Sequence, residues 1–139
     1  MLAKFVQEAP DIHASHKIIP LHRESKARSS NLFVQRLTEL VEANIADERY
    51  DIGQLCKDAR VSRANLHRKL KTFVNLSSSK FIRAVRLKKA RVLLLFTDLN
   101  IAEIAYSVGF GDPKYFSRVF SEEFRQSPRA FRNRSLDVS

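Results

Sequence analysis

Ile101-Ala-Glu-Ile-Ala-Tyr-Ser-Val-Gly-Phe110, continued by Gly111-Asp-Pro-Lys-Tyr-Phe-Ser-Arg-Val-Phe120, is the stretch that decides how this chain folds. Its apolar residues recur at helical spacing on either side of Gly109. Asn100-Ile-Ala-Glu103 opens the first segment as a capping box, in which Asn100 accepts an orphan N–H and Glu103 reaches back. Asp112 caps the second segment and Pro113 takes its first position, where a missing N–H costs nothing. The spacing therefore predicts two short amphipathic helices joined by a glycine turn, a helix-turn-helix.

A second copy lies about fifty residues upstream. Ile52, Leu55, Cys56, Ala59 and Val61 match Ile101, Ile104, Ala105, Val108 and Phe110. With one extra residue in the second turn, Leu66, Leu70, Ser77 and Phe81 match Phe116, Phe120, Ser127 and Phe131. Asp51-Ile-Gly-Gln54 reads as another capping box, and Ser62 as the cap of a helix from about Arg63 to Phe73. Asn75 suits the left-handed end of that helix. Ser77 or Ser78 then opens a longer helix to about Phe96, about 18 residues and roughly 27 Å long. Ser127-Pro128 opens a last one. Two copies are too few for a solenoid and instead make a tandem bridged by one helix.

Upstream, Leu32, Phe33, Leu37, Leu40, Val41 and Ile45 give a first helix from Asn31 to about Asn44. Residues 1–30 hold two of the four Pro and the polar run 22–30 without a sustained period, so they are expected to be a linker or flexible segment. The expected organisation is a segment 1–30, a folded domain 31–134 and a tail 135–139. Within the domain, the helix-turn-helix units occupy about 51–73 and 101–124, and the linking helix about 78–96. The fold class is all-α, with about seven helices.

Composition agrees. Three Gly leave few sheet turns, and 44% hydrophobic residues suffice for a core in one domain or two very small ones. No apolar run approaches the ~20 residues of a membrane span, and residues 1–8 carry no apolar leader. The single Cys excludes an internal disulfide and suits a reducing, cytoplasmic setting. The net charge is +10, and residues 31–139 carry twenty of the 25 cations, so the excess belongs to the folded part. Such an excess favours a polyanionic partner.

With Leu66 at the core and 100° per residue, Leu70 and Phe73 fall within about 40° of it, on one face. Ala64, His67, Arg68 and Lys71 take the opposite half, with Arg63 and Asn65 toward the flank. In the second copy Phe116, Val119 and Phe120 face in, while Lys114, Ser117, Arg118 and Ser121 face out. Arg68 and Arg118 hold equivalent positions. An outward Arg offers a planar fork that matches guanine O6 and N7, and Asn65 is suited to adenine. A lone exposed Arg is ordinarily just solvated; two, each behind a matched turn, point to reading of double-stranded DNA.

These residues resemble the AraC/XylS family of bacterial transcription regulators from about Phe33 to Arg132. The specific matches are Ile101-Ala-x-Ile-Ala-x-x-Val-Gly-Phe110, Tyr115-Phe-Ser-Arg-Val-Phe120, Ser127-Pro128, and Arg86-Leu-x-x-Ala90 with Leu93-Leu94. The resemblance implies seven helices in two subdomains, the third and sixth entering successive major-groove segments. It places base reading on Ala64, Arg68, Lys114 and Arg118, with His67 and Ser117 alongside; Ala64 has only a methyl to offer, for a thymine methyl. Arg83 and Arg86 of the linking helix are the phosphate-contact candidates. Asp112 to Arg118, with Ser79 to Leu87, is similar to the output domains of response regulators and hybrid two-component sensors. That implies a sensor or receiver domain outside this chain and RNA polymerase as a further partner. The chain departs from the family at Arg60, which stands where the second copy has Gly109, at Ser78 in place of the usual Pro, and at Arg125 in place of a helix-ending Gly.

Other functions find less support. No nucleophile motif, phosphate loop or metal-spaced Cys/His pair occurs, so neither enzyme activity nor a cofactor is expected. His13, His16 and His22 lie in the expected linker without a thiolate or acid to complete a metal site, and Cys56 faces the core. Arg83, Arg86, Lys88, Lys89 and Arg91 make a basic amphipathic helix of the kind that lies on lipid, but its apolar face is needed to hold the two subdomains. A protein-interaction adaptor is the alternative, opposed by the outward Arg68, Lys114 and Arg118.

Overall fold

The computed structural model describes residues 21–138. Among them are seven helices and no strand: α1 (Leu21–Ala43), α2 (Ile52–Ala59), α3 (Arg63–Val74), α4 (Ser78–Phe96), α5 (Ile101–Ser107), α6 (Pro113–Phe124) and α7 (Pro128–Val138). The tandem all-α architecture is the expected one. Two boundaries differ: α1 starts at Leu21, ten residues ahead of Asn31, and α7 runs to Val138 through most of the expected tail 135–139. Residues 21–30 are therefore helix rather than linker; 1–20, with His13 and His16, lie outside the described residues. Periodicity reports only faces that are buried, and Ala27, Arg28 and Ser29 are exposed. The stretch is nonetheless free of Gly and Pro and rich in ordinary helix formers, which suffices once the packed part of α1 continues it.

The helix starts follow the cap residues. Asp51 Oδ1 accepts from Gln54 N at 3.0 Å, Ser62 Oγ from Asn65 N at 3.1 Å and Ser77 Oγ from Lys80 N at 3.3 Å. Asn100 and Glu103 form the complete box, with both bonds at 2.8 Å. The expected box at Asp51 is only half made. Gln54 turns its amide forward to Asp58 Oδ1 (3.4 Å), whose other oxygen accepts from the Tyr50 hydroxyl at 2.8 Å. Burial and that bond together raise the Tyr50 pKa above its ordinary value.

Helix ends use the left-handed conformation three times without glycine: Arg60 (φ 58°), Asn75 (φ 56°) and Arg125 (φ 58°). Asn tolerates it, whereas a residue with a long side chain is strained there. Arg60→Gly and Arg125→Gly are each expected to stabilise the domain by about 0.5–1 kcal/mol, read as a rise in the urea midpoint. The corresponding turn in the second unit cannot make the reverse exchange. At Gly109 (φ 91°) a Cβ would collide with Arg86 Nη1 and with the carbonyl oxygen of Ile45. Arg60, by contrast, is exposed.

The core runs through both units along α4, which packs against α1, α2, α3, α5 and α7. Leu37, Val41, Leu55, Leu66 and Leu70 are fully buried in the first unit, and Phe81, Leu87 and Ala90 of α4 join the two. The second unit is filled by phenylalanines in a run of ring contacts: Phe110–Phe116 (5.2 Å), Phe116–Phe120 (5.7 Å), Phe120–Phe124 (4.6 Å) and Phe120–Phe131 (5.9 Å). Such offset and edge contacts add to simple burial. Arg91 of α4 lies over Phe124 and Phe131, at 4.8 and 5.5 Å from the ring centres. Arg132 of α7 closes the far end of α4. It donates to the carbonyls of Leu94 (3.0 Å), Leu99 (2.6 Å), Thr97 (3.0 Å) and Leu93 (3.5 Å), at the end of the helix and in the loop after it, where Leu93 O also accepts from Thr97 N and Oγ1.

Candidate nucleic-acid interface

Helix α3 is held in rotation by Leu66 and Leu70, both fully buried, so the opposite half must meet solvent. Arg63, Ala64, Asn65, His67, Arg68 and Lys71 are all exposed, as the wheel predicts. Helix α6 is fixed likewise by Phe116 and Phe120, with Val119 at 3% exposure. Lys114 and Arg118 are exposed; Ser117 and Ser121 are half-buried, less outward than expected. The Ser121 hydroxyl donates back to Ser117 O at 2.8 Å and so spends its proton on its own helix.

Each outward arginine has a support one turn earlier in its helix. Arg68 Nη2 donates to Asn65 Oδ1 at 2.8 Å. Asn65 thereby acts as a brace for Arg68 as well as a group facing outward. Arg118 stacks its guanidinium over the Tyr115 ring at 5.2 Å and lies 3.6 Å from Glu122 Oε1. Both members of that ion pair are well exposed, so its energy is small and its effect is to orient. Sequence reasoning passed over Tyr115 and Glu122 in these roles, although the i−3 and i+4 spacings around Arg118 were visible. His67 is tied through Nδ1 to Ser78 Oγ at 2.9 Å, and Ser78, the departure at the head of the linking helix, is fully buried.

Two adjoining clefts on the first turns of α4 place the reading helices on one side of the molecule. Arg63, Gly53, Ser79 and Ile82 are among the residues lining one; Ser79, Ile82, Lys80, Arg83, Arg86, Phe110 and Tyr115 line the other. The N-terminal turns of α3 and α6 therefore flank a common floor. Arg83 is half-buried at that floor, beside the exposed Lys80.

Arg86 was expected to reach phosphate, and the structure corrects this. It is 5% exposed, with its guanidinium turned inward. Nη1 donates to Ile45 O (2.6 Å) and Val108 O (2.8 Å), and Nη2 to Asp47 O (3.0 Å) and Tyr50 O (3.2 Å). Burial lowers its pKa from the usual guanidinium value, and the nearby Asp47 and Glu48 carboxylates pull the other way. One side chain of α4 thus ties the α1–α2 loop of the first unit to the turn of the second. Phosphate contact would require withdrawing four hydrogen bonds, three of them from carbonyls (Ile45, Tyr50 and Val108) with no other donor among the described residues, since only Asp47 O also accepts from Tyr50 N.

Among the described residues no group of three or more His, Cys, Asp or Glu is placed to hold a metal, and no helix is long and apolar enough to cross a membrane. Cys56 is buried.

Comparison with known proteins agrees with this arrangement. A family described as a helix-turn-helix domain matches residues 55–134. Histidine kinase P4 of Formosa agariphila is 38% identical over 101 residues, covering 73% of this chain and 7% of its own length. The transcriptional activator RhaS of an Enterobacter species is 44% identical over 72 residues, 52% of this chain and 26% of its own. This chain therefore spans about a quarter or less of either relative. A solved transcriptional regulator of the AraC DNA-binding type from Chromobacterium violaceum superposes with a TM-score of 0.70 at 30% identity, over 78% of this chain and 96% of that one. By its matched residues, its paired helix-turn-helix units and their outward faces, this chain belongs to the AraC/XylS family of helix-turn-helix transcription regulators, as its DNA-binding domain.

Proposed function

We propose that this chain reads a bipartite site on double-stranded DNA and serves as the output module of a larger two-component or ligand-sensing regulator. The observation that carries this reading is the pair of braced outward arginines, Arg68 and Arg118, on two helices that flank one floor. Helices α3 and α6 dock in successive major-groove segments about one turn, ~34 Å, apart. Arg68, Arg118 and Lys114 read base edges, Ala64 meets a thymine methyl, and Arg63, His67, Lys71, Ser117 and Ser121 line the same contact. Arg83 and Lys80 at the floor hold the intervening phosphate, which positions the readers without reading sequence. The chain performs no catalysis and needs no cofactor. It works in the cytoplasm, where the sensor or receiver domain of the whole protein controls it and RNA polymerase receives the output.

Selection of random duplexes by the polypeptide tests this reading, followed by titration of the winner at 50 and 200 mM salt. The expected result is an enriched site with two half-sites about one turn apart. Affinity should fall steeply with salt, by ~10³ if about six phosphates are neutralised. Salt-sensitive binding with no enriched motif would remove sequence specificity from the proposal. No binding at low salt would overturn it in favour of a protein-interaction adaptor.

A further inference from the structure

The contact between His67 and Ser78 fixes what kind of DNA atom His67 is able to meet. Ser78 Oγ is fully buried at the first position of α4 and lies 2.9 Å from His67 Nδ1. It has no other hydrogen bond among the described residues, so its proton has one acceptor within reach, the ring nitrogen. If Nδ1 carried a hydrogen and donated instead, the serine proton would be stranded in the interior, which is the costlier arrangement. We infer that Ser78 donates to His67 Nδ1, holds the neutral imidazole in its Nε2–H tautomer and makes His67 a hydrogen-bond donor toward an acceptor on the duplex, with Ser78 as its positioning residue.

The consequence is a specificity. An Nε2–H donor pairs with a phosphate oxygen, purine N7, guanine O6 or thymine O4, and it has nothing to offer the exocyclic amino groups of adenine or cytosine. The imidazole is exposed on the outward half of α3, adjacent to Arg68. Its ring orientation is set from α4, so recognition at this position depends on how α3 and α4 are docked. This rests on the DNA-reading assignment made above, which names α3 as a reader; it adds the chemistry of the group read and the residue that enforces it.

The test begins without DNA. Long-range proton–nitrogen correlation spectra of the protein labelled with 15N-histidine assign the tautomer of His67. The expected result is a protonated Nε2 with Nδ1 accepting, and a shift toward mixed tautomers in Ser78→Ala. A protonated Nδ1 in the unsubstituted protein overturns the inference.

Binding to the selected duplex is then measured for His67→Ala, Ser78→Ala and the double variant. Ser78→Ala is expected to weaken binding roughly three- to tenfold, the size of one hydrogen bond, and to add nothing in the His67→Ala background. A Ser78→Ala loss that persists in full without His67 is structural and overturns the inference. The acceptor is located by methylphosphonate substitution at single phosphates and, in the α3 half-site, by 7-deazapurines for N7, 2-aminopurine for guanine O6 and 5-methyl-2-pyrimidinone for thymine O4. One such change should lose its effect in His67→Ala, and its identity says whether the acceptor is phosphate or base. If none does, the donor role is wrong. Failure of the unsubstituted protein to bind any duplex would instead count against DNA reading, a result the tautomer measurement keeps separate.

Discussion

Arg86→Met is expected to lower the unfolding free energy by about 3–5 kcal/mol, because it removes the donor from four carbonyls at once. Methionine keeps the length of the stem and supplies no hydrogen. Ile45, Tyr50 and Val108 then present unpaired oxygens, while Asp47 O keeps its bond from Tyr50 N, and each unpaired group costs ~1–3 kcal/mol if it stays dry. Partial collapse and entry of water keep the sum below three times that amount. Against a total stability of ~5–15 kcal/mol for a domain of this kind, the loss is large. Urea unfolding followed by circular dichroism measures it; a midpoint unchanged from the parent protein would show that the clamp contributes nothing. Gly109→Ala strikes the same place, since its Cβ would displace Arg86. The two substitutions should therefore fall well short of additive, as expected for residues sharing one set of contacts.

Removal of both arginine readers is the second large effect. Arg68→Ala with Arg118→Ala should weaken binding to the selected duplex by ~2–6 kcal/mol, at ~1–3 kcal/mol for each bidentate base contact. The two residues sit in different helices and share no partner, so their losses should add. Binding to a scrambled duplex should change much less, since phosphate contacts supply that term. Quantitative titration of both duplexes gives the ratio that matters. A double variant that kept the parent's preference would remove α3 and α6 from the role of readers. Either single substitution should flatten preference in its own half-site only. The folded state should be hardly affected, because both guanidinium groups are exposed and neither holds the core.

The two predictions bear on opposite ends of the same device. In the proposed reading Arg68 and Arg118 carry the information, and Arg86 fixes the frame in which they stand. The Arg86 link from α4 to both Ile45 and Val108 adds hydrogen bonds to the packing of α4 and to the close approach of Ile45 and Glu48 to Gly109 and Gly111. The proposed bipartite site demands a set spacing between α3 and α6, so a loosened Arg86 variant that still folds should tolerate altered half-site spacing.

Local sequence was sufficient for most of the framework. Helix starts at Ser62, Ser77, Asn100 and Asp112 were legible because a cap involves residues two to four apart, and such short-range hydrogen bonds need no tertiary partner to be recognised. The inward faces of α3 and α6 were legible because burial repeats with the helical period, and Leu66, Leu70, Phe116 and Phe120 obey it. The outward placement of Arg68 and Arg118 followed from the same arithmetic.

Arg83 and Arg86 show where that arithmetic ends. Both are basic residues of one basic helix, three positions apart, and nothing within four residues of either distinguishes a solvent-facing cation from a buried clamp. The difference lies in partners 22 to 41 residues away, Val108 and Ile45. Arg132 is the same case, with acceptors 33 to 39 residues off. The start of α1 escaped for another reason, because Ala27, Arg28 and Ser29 are exposed and show no buried period that would reveal it. The sequence by itself thus determined the helices, their caps and the half of each reading helix that faces water, all set by interactions within one turn or by burial at a fixed period. Only the tertiary structure decided which cations are spent inside and which nitrogen of His67 is tied to α4, because each depends on carbonyls and hydroxyls brought together from distant parts of the chain.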